Sequence, residues 1–204
     1  RRVLFRSWAD VRDHRLPHLE PLLADSGIAN LMLRTTTRTT DAGDGYATIG
    51  AGTRTSGGGY EDGEVLQRAE TFGDATGAVL YERRTGAALD ARMGAIGFPA
   101  LVTANEALLF ESVPGALGSA LRDAGWGRAV VANADRSETA PTDISIHREA
   151  ALAIADRAGR VAGGTVDGSI LQSTPEAPYG VTLDRAAVLR AFDRAWRDRG
   201  VVLV

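Results

Sequence analysis

The sequence contains no cysteine and no lysine. Without thiols there is no disulfide framework, no thiolate zinc site and no cysteine nucleophile. Without lysine, all 23 basic side chains are arginine, which fits GC-rich coding and argues against a polybasic membrane tether. Aromatic residues make up only 6% of the chain, and histidine occurs three times, at His14, His18 and His147. No apolar run approaches the roughly 18 to 20 residues that a membrane span requires, so none is expected within the chain. The formal net charge of −3 is too small for a disordered tail and has the wrong sign for a nucleic-acid binder. What is present is 44% hydrophobic over 204 residues, enough to bury a core as one domain.

Both ends read as cuts. The chain opens on Arg1 rather than Met and stops at Val204, inside the apolar run Val201-Val202-Leu203-Val204. Residues 1–7 also match one reading frame of a widely used sequencing adapter, so they are expected to be a non-native leader and are excluded from fold reasoning. Removing that heptad takes away three arginines and makes residues 8–204 more acidic. These residues are expected to be a fragment of one domain from a longer protein.

The apolar spacing predicts a short helix over Leu16–Leu23 with a stop at Gly27, then a strand over Ile28–Arg34 feeding a threonine run. A helix is predicted from about Asp44, with Tyr46, Ile49 and Ala47 inward, ending in Gly50-Ala51-Gly52. Gly57-Gly58-Gly59 reads as a flexible loop. Glu61–Phe72 and Thr76–Thr85 read as helices, the first with the stronger pattern. Ile96–Val102 is strand or loop, and Ala104–Glu111 a short helix. Pro114 suits a helix start, with Leu117, Leu121 and Ala124 on its buried face before Gly125. Arg128–Ala132 is a buried strand. Ala150–Ala155 fits a helix or the first arm of a hairpin that turns at Asp156–Val161, with the hairpin favoured. The last helix has Asp184 as cap or first-turn acid and Val188, Leu189, Phe192 and Trp196 inward. It hands the chain to a strand over Val201–Val204, read as central. The succession of helix, glycine and strand predicts an α/β fold: three layers, with a mostly parallel central sheet flanked by helices and incomplete at both ends.

The stretch most suggestive of chemistry is Arg34–Arg54. Hydroxyls at the end of an apolar strand, followed at once by a helix, lie beside free N–H groups at its positive end, where phosphate is favoured. A plain capping threonine explains Thr40 or Thr39 equally well. Gly50-Ala51-Gly52 lacks the third glycine of a dinucleotide fingerprint and ends a helix rather than opening one. No nucleophile elbow or Walker A pattern occurs.

Seven phrases follow one another in order: Trp8-Ala9-Asp10, Leu16–Leu23, Gly45–Arg54, Pro114–Gly118 with Ala124-Gly125, Val131–Asp135, Asp156–Val161, and Ala177–Val181. Together they resemble the alkaline phosphatase superfamily, specifically an uncharacterised bacterial branch with a phosphodiesterase-like core. The resemblance implies a two-metal site, usually zinc, at which a threonine oxygen attacks phosphorus while the metals clamp the attacking and leaving oxygens. By that resemblance the nucleophile is Thr40 or, next to it, Thr39. The main metal ligands are expected outside the chain, and neither metal ion is expected to bind the fragment well. The substrate implied is a small phosphorylated compound, and the setting the extracytoplasmic face of a bacterial membrane. The alternative is a catalytically inactive relative serving as a binding or interaction domain of a membrane-tethered protein.

Arg38 and Arg54 flank the threonine run and could pair with a phosphate dianion. Asn133, with Asp135, follows a buried strand where α/β folds put ligand groups, although a cap or turn accounts for both equally well. His14 and His18 stand at i,i+4, a zinc-compatible spacing, but Pro17 between them favours solvated surface histidines. Asp41, Asp44, Glu61 and Asp62 form an acidic neighbourhood that reads as a solvated loop.

Overall fold

The computed structural model describes residues 9–25, 35–36, 40–57, 59, 63–137, 144–177 and 179–204. The chain divides into two compact units, Arg1–Met32 and Leu33–Val204. In the first, helix α1 covers Leu19–Ala24. His14, in a left-handed conformation (φ 55°), sets Nδ1 3.0 Å from Oε2 of Glu20, and this bond raises the imidazole pKa. His14 and His18 are both exposed, as expected of surface histidines. The predicted strand at Ile28–Arg34 lies outside the described residues, as does Trp8.

The second unit is mixed α/β, with several small sheets, one of them parallel. In chain order it contains α2 (Ala42–Ala51), β1 (Val65–Gln67), β2 (Thr71–Phe72), β3 (Ala75–Thr76), α3 (Gly77–Thr85), β4 (Met93–Ala95), α4 (Phe98–Glu106) and α5 (Ala116–Asp123). There follow β5 (Gly127–Val131), β6 (Arg136–Ser137), β7 (Ile144–Ser145), a 3-10 helix (Glu149–Ala153), β8 (Arg160–Val161) and β9 (Gly163–Thr165). The chain closes with a 3-10 turn (Gly168–Ile170), β10 (Leu171–Ser173), β11 (Val181–Leu183), α6 (Arg185–Ala195) and β12 (Gly200–Leu203).

β5 is the strand its apolar run predicts, and it pairs in parallel with both β9 and β12. Its residues alternate between faces: Val130 joins the main core cluster, while Val131 packs with Ile170, Ala187 and Ala191. A second sheet, β1-β4-β8, is antiparallel throughout. Beneath both runs Ala150–Ala155, buried at every position. The favoured hairpin arm is not formed: the segment begins as a 3-10 helix, nearer the helical alternative, although the turn at Asp156–Gly159 and strand β8 follow as expected.

Glycine lets two helices settle onto this segment. A Cβ at Gly50 of α2 would lie 2.4 Å from the Leu152 carbonyl oxygen, and one at Gly118 of α5 would lie 2.1 Å from that of Ala155. Thus α5 buries Gly118 and Ser119, and Leu117 and Ala124 of the predicted apolar face point outward. In α2, Ala47 is buried as predicted but Ile49 is 40% exposed. In α6, Asp184 caps as expected, accepting from Ala187 N–H at 3.0 Å, but Ala187 and Ala191 form the buried face, and Leu189 and Trp196 are exposed. At Gly50 and Gly118 the neighbouring backbone is too close for any side chain.

Other segments also depart from the periodicity. The helix predicted over Glu61–Phe72 is replaced by β1 and β2, because Val65 and Leu66 are buried in a strand paired with β4. The weaker prediction, Thr76–Thr85, holds, with the Thr76 hydroxyl capping Val79 N–H. Phe98–Glu106 is a helix with proline in its first turn, where the pattern suggested strand or loop and then a later helix. Strand β12, read as central, pairs only with β5 among the described residues and is half-buried.

Asp156 anchors the turn before β8. Its Oδ1 accepts from the Ala158 and Arg160 amides at 3.0 Å, and its Oδ2 lies 3.1 Å from Arg122, 3.4 Å from Arg160 and 3.8 Å from Arg128. Burial lowers the pKa of Arg128, which also donates to the Ile154 and Arg160 carbonyls. Replacing one member of so buried an ionic group strands the others. Asp156→Asn is therefore expected to reduce unfolding free energy by about 3 kcal/mol, measured by urea denaturation.

Candidate functional site

The N-terminus of α2 is built from local hydrogen bonds. Asp41, not Thr40, is the cap: its Oδ1 accepts from Asp44 N–H at 2.7 Å. Thr40 comes immediately before it, exposed, with Oγ1 3.2 Å from the hydroxyl of buried Thr35. Asp44 is itself buried and accepts from Gly57 N–H at 2.6 Å. That bond, with Asn105 holding both backbone polar groups of Ser56, ties the returning chain against the helix. Gly57 is therefore a fixed position, in contrast to the expected flexible loop.

The expected site residues do not all meet there. Arg54 is exposed and lies beyond Gly52, the C-cap of α2. A helix of ten residues is about 15 Å long, so Arg54 stands at the far end from Thr40. Thr39, Arg38, Glu61 and Asp62 lie outside the described residues. Asn133 is buried at the end of β5, and its amide is used internally: Nδ2 donates to Asp135 Oδ2 at 2.9 Å and to the Val166 carbonyl at 2.7 Å, while Oδ1 accepts from Asp135 N–H. It orients Asp135.

Asp135 in turn engages Arg148, which the sequence does not single out. The guanidinium is buried and donates to both oxygens of Asp135, both oxygens of Glu70 and the Val65 carbonyl, at 2.7 to 3.2 Å. Burial, the largest influence, lowers its pKa, but the bonds to Glu70 and Asp135 outweigh burial and hold it above the ordinary value. Strand β1, the turn before β2 and the segment between β5 and β6 are thus tied to one cation. Beside it opens a cavity of about 790 Å³, reaching Phe72, Leu171 and Val181.

Asp135 Oδ1 also accepts from His147 N–H at 2.8 Å, and the His147 carbonyl accepts from Ala134 N–H. This fixes the backbone at His147, between Ser145 at the end of β7 and Glu149 at the start of the 3-10 helix, and the three side chains form one line. His147 Nε2 is 3.0 Å from Ser145 Oγ, and Nδ1 is 3.0 Å from Glu149 Oε1. The line borders a second pocket of about 520 Å³, which also takes in Asp41, Ala42 and Gly43 at the start of α2, and Arg136. The Ser-x-His-x-Glu spacing is visible in the sequence, but no regular strand runs through it, because Glu149 opens a 3-10 helix.

No known protein family, curated protein or solved structure matches the chain. The buried ion group yields a direct expectation. Arg148→Lys supplies one ammonium where two carboxylates and a carbonyl are bridged by a planar fork, so it should lower unfolding free energy by at least about 2 kcal/mol in urea titrations.

Proposed function

We propose that this chain is part of a metal-dependent phosphoric ester hydrolase of the alkaline phosphatase superfamily, with Thr40, or Thr39 beside it, as nucleophile. The observation that carries the reading is the position of the Thr40 hydroxyl, one residue ahead of the capped N-terminus of α2 and exposed there. The first amides of a helix have no intrahelical partner, and its dipole favours negative charge. A phosphoryl group attacked by Thr40 would have its nonbridging oxygens facing them. Thr35, at 3.2 Å, restricts the hydroxyl's orientation.

The reading brings with it a three-layer fold around a mostly parallel sheet, supported by the parallel trio β12-β5-β9 with α6 packed on β5 and β9. It also brings a small phosphorylated substrate rather than a nucleic acid, in keeping with the net negative charge. Arg38 belongs to it as a phosphate partner by sequence position, whereas Arg54, beyond the C-cap of α2, is too far from Thr40 to share that role. Among the described residues, no three His, Asp or Glu side chains gather where a metal ion could be held, so these residues do not by themselves fit the two-metal centre that the resemblance implies. Among them too, no helix is long and apolar enough to cross a membrane. An extracytoplasmic setting rests on the resemblance alone.

The test uses a protein carrying this sequence within its full reading frame, assayed with aryl phosphate monoesters and diesters in the presence of Zn²⁺ or Mn²⁺. Hydrolysis is expected, and Thr40→Ala should lower kcat by about 1,000-fold or more. Full activity in both Thr40→Ala and Thr39→Ala would overturn the nucleophile. No hydrolysis with either metal would favour a catalytically inactive binding domain.

A further inference from the structure

The geometry points to a second nucleophile, which borders the same N-terminus of α2 but does not involve Thr40: Ser145, His147 and Glu149 form a hydroxyl–imidazole–carboxylate relay that makes Ser145 an acyl-accepting nucleophile toward a carboxylic ester.

Three observations carry this. The first is connectivity. An ionised carboxylate only accepts, so the contact at 3.0 Å requires the proton on His147 Nδ1, donating to Glu149. Neutral imidazole then has a lone pair only at Nε2, and the Ser145 hydroxyl 3.0 Å away donates to it. Each group thus has the role that nucleophile activation needs, in the order it needs them.

The second is graded burial. The Glu149 side chain is 11% exposed and that of His147 28%, while Ser145 lies on the pocket wall. The carboxylate is shielded and the hydroxyl accessible. Space for Glu149 depends on Gly63, where a Cβ would come within 2.7 Å of Oε1.

The third is rigidity. Arg148 and Asp135 lock the backbone on which His147 sits, and β6 pairs Arg136 opposite Ser145. The relay is thus held by the buried ion group rather than by a mobile loop.

The pocket also holds charged groups of both signs, the Asp41 carboxylate that caps α2 and the Arg136 guanidinium. Ala42 and Gly43 lie at the start of ten-residue α2, and Arg136 supplies a cation whose plane is steadied over the Tyr179 ring at 4.7 Å. Gly59, Gly63 and Ile146 line the remainder.

In the reaction, Ser145 Oγ forms a bond to the ester carbonyl carbon and its proton passes to His147 Nε2. The tetrahedral centre collapses, the bond to the alcohol oxygen breaks, and that oxygen takes the proton from Nε2. Water then enters, loses a proton to Nε2 and attacks the acyl-serine. Ser145 leaves with that proton, and a carboxylic acid is released. Ser145 and His147 are the catalytic residues; Glu149 is a positioning residue.

The test exposes the 204-residue chain to a fluorophosphonate probe and to p-nitrophenyl acetate, with the adduct mapped by peptide mass spectrometry. The expected result is one adduct on Ser145, formed with loss of fluoride, together with p-nitrophenol release. Ser145→Ala should abolish the adduct, and His147→Gln should slow labelling about 100-fold or more. Glu149→Gln should slow it about tenfold or more, and Glu149→Asp should recover part of the rate. Circular dichroism and thermal melting confirm that each variant is folded. No labelling of the folded parent, an adduct on another residue, or an unchanged rate in folded His147→Gln would overturn the relay. None of these outcomes depends on Thr40, so this centre and the phosphoester reading fail separately.

Discussion

A buried guanidinium holds the candidate site together. Arg148 has five N–H groups and no acceptor, and in the interior each must meet an oxygen. It meets them in Asp135, just after β5, in Glu70, between β1 and β2, and in the backbone of β1. Parallel and antiparallel sheets are thereby tied through one planar fork, which also lines the larger of the two pockets. Asn133 stands behind Asp135 and limits its freedom to turn. The consequence reaches past the ion pairs, because the same Asp135 carboxylate fixes the amide of His147 and so decides where the imidazole lies.

The second constraint is a short chain of small residues. Ala150–Ala155 has too little side-chain volume to fill a core alone, and it works by letting other backbones come near. Gly50 and Gly118 meet it with carbonyl oxygens where a Cβ would stand. The phrases around these glycines carry the resemblance to phosphatases, and in this fold they carry close packing as well. A phrase can be read for chemistry and still be explained by contact, as Gly50 is. Asp156 closes the segment by drawing Arg122, Arg128 and Arg160 onto one carboxylate.

Some elements were legible because their signals are local. Gly52 after α2, Thr76 before α3 and Asp184 before α6 are caps whose side chain or left-handed geometry acts within a few residues. β5 announced itself as an apolar run after a glycine. Other elements were misread because the deciding partner is distant in sequence. Val65 and Leu66 became strand through pairing with Met93–Ala95, which no helical period near residue 65 could reveal. The inward face of α5 went to Gly118 and Ser119 because the Ala155 backbone excludes a side chain at Gly118, and that of α6 to Ala187 and Ala191, which pack with Val131 and Ile170. Of the candidate site, Thr40 could be located from its run and its helix, whereas Arg148 could not be separated from 22 other arginines.

Taken alone, the sequence determined what chemistry is unavailable and where some helices begin or end: no thiol, no lysine, a sparse set of histidines, a stop at Gly52 and a cap at Asp184. These follow from composition and from hydrogen bonds that span three or four residues. Tertiary structure decided which polar groups are buried together. Asn133, Asp135, Arg148 and Glu70 lie up to 78 residues apart, and only burial, which forbids a lone charge, brings them into contact. The line from Ser145 through His147 to Glu149 sits between these cases. Its spacing is written in the sequence, but its geometry exists because Asp135 holds His147 N–H and Gly63 leaves room for Glu149.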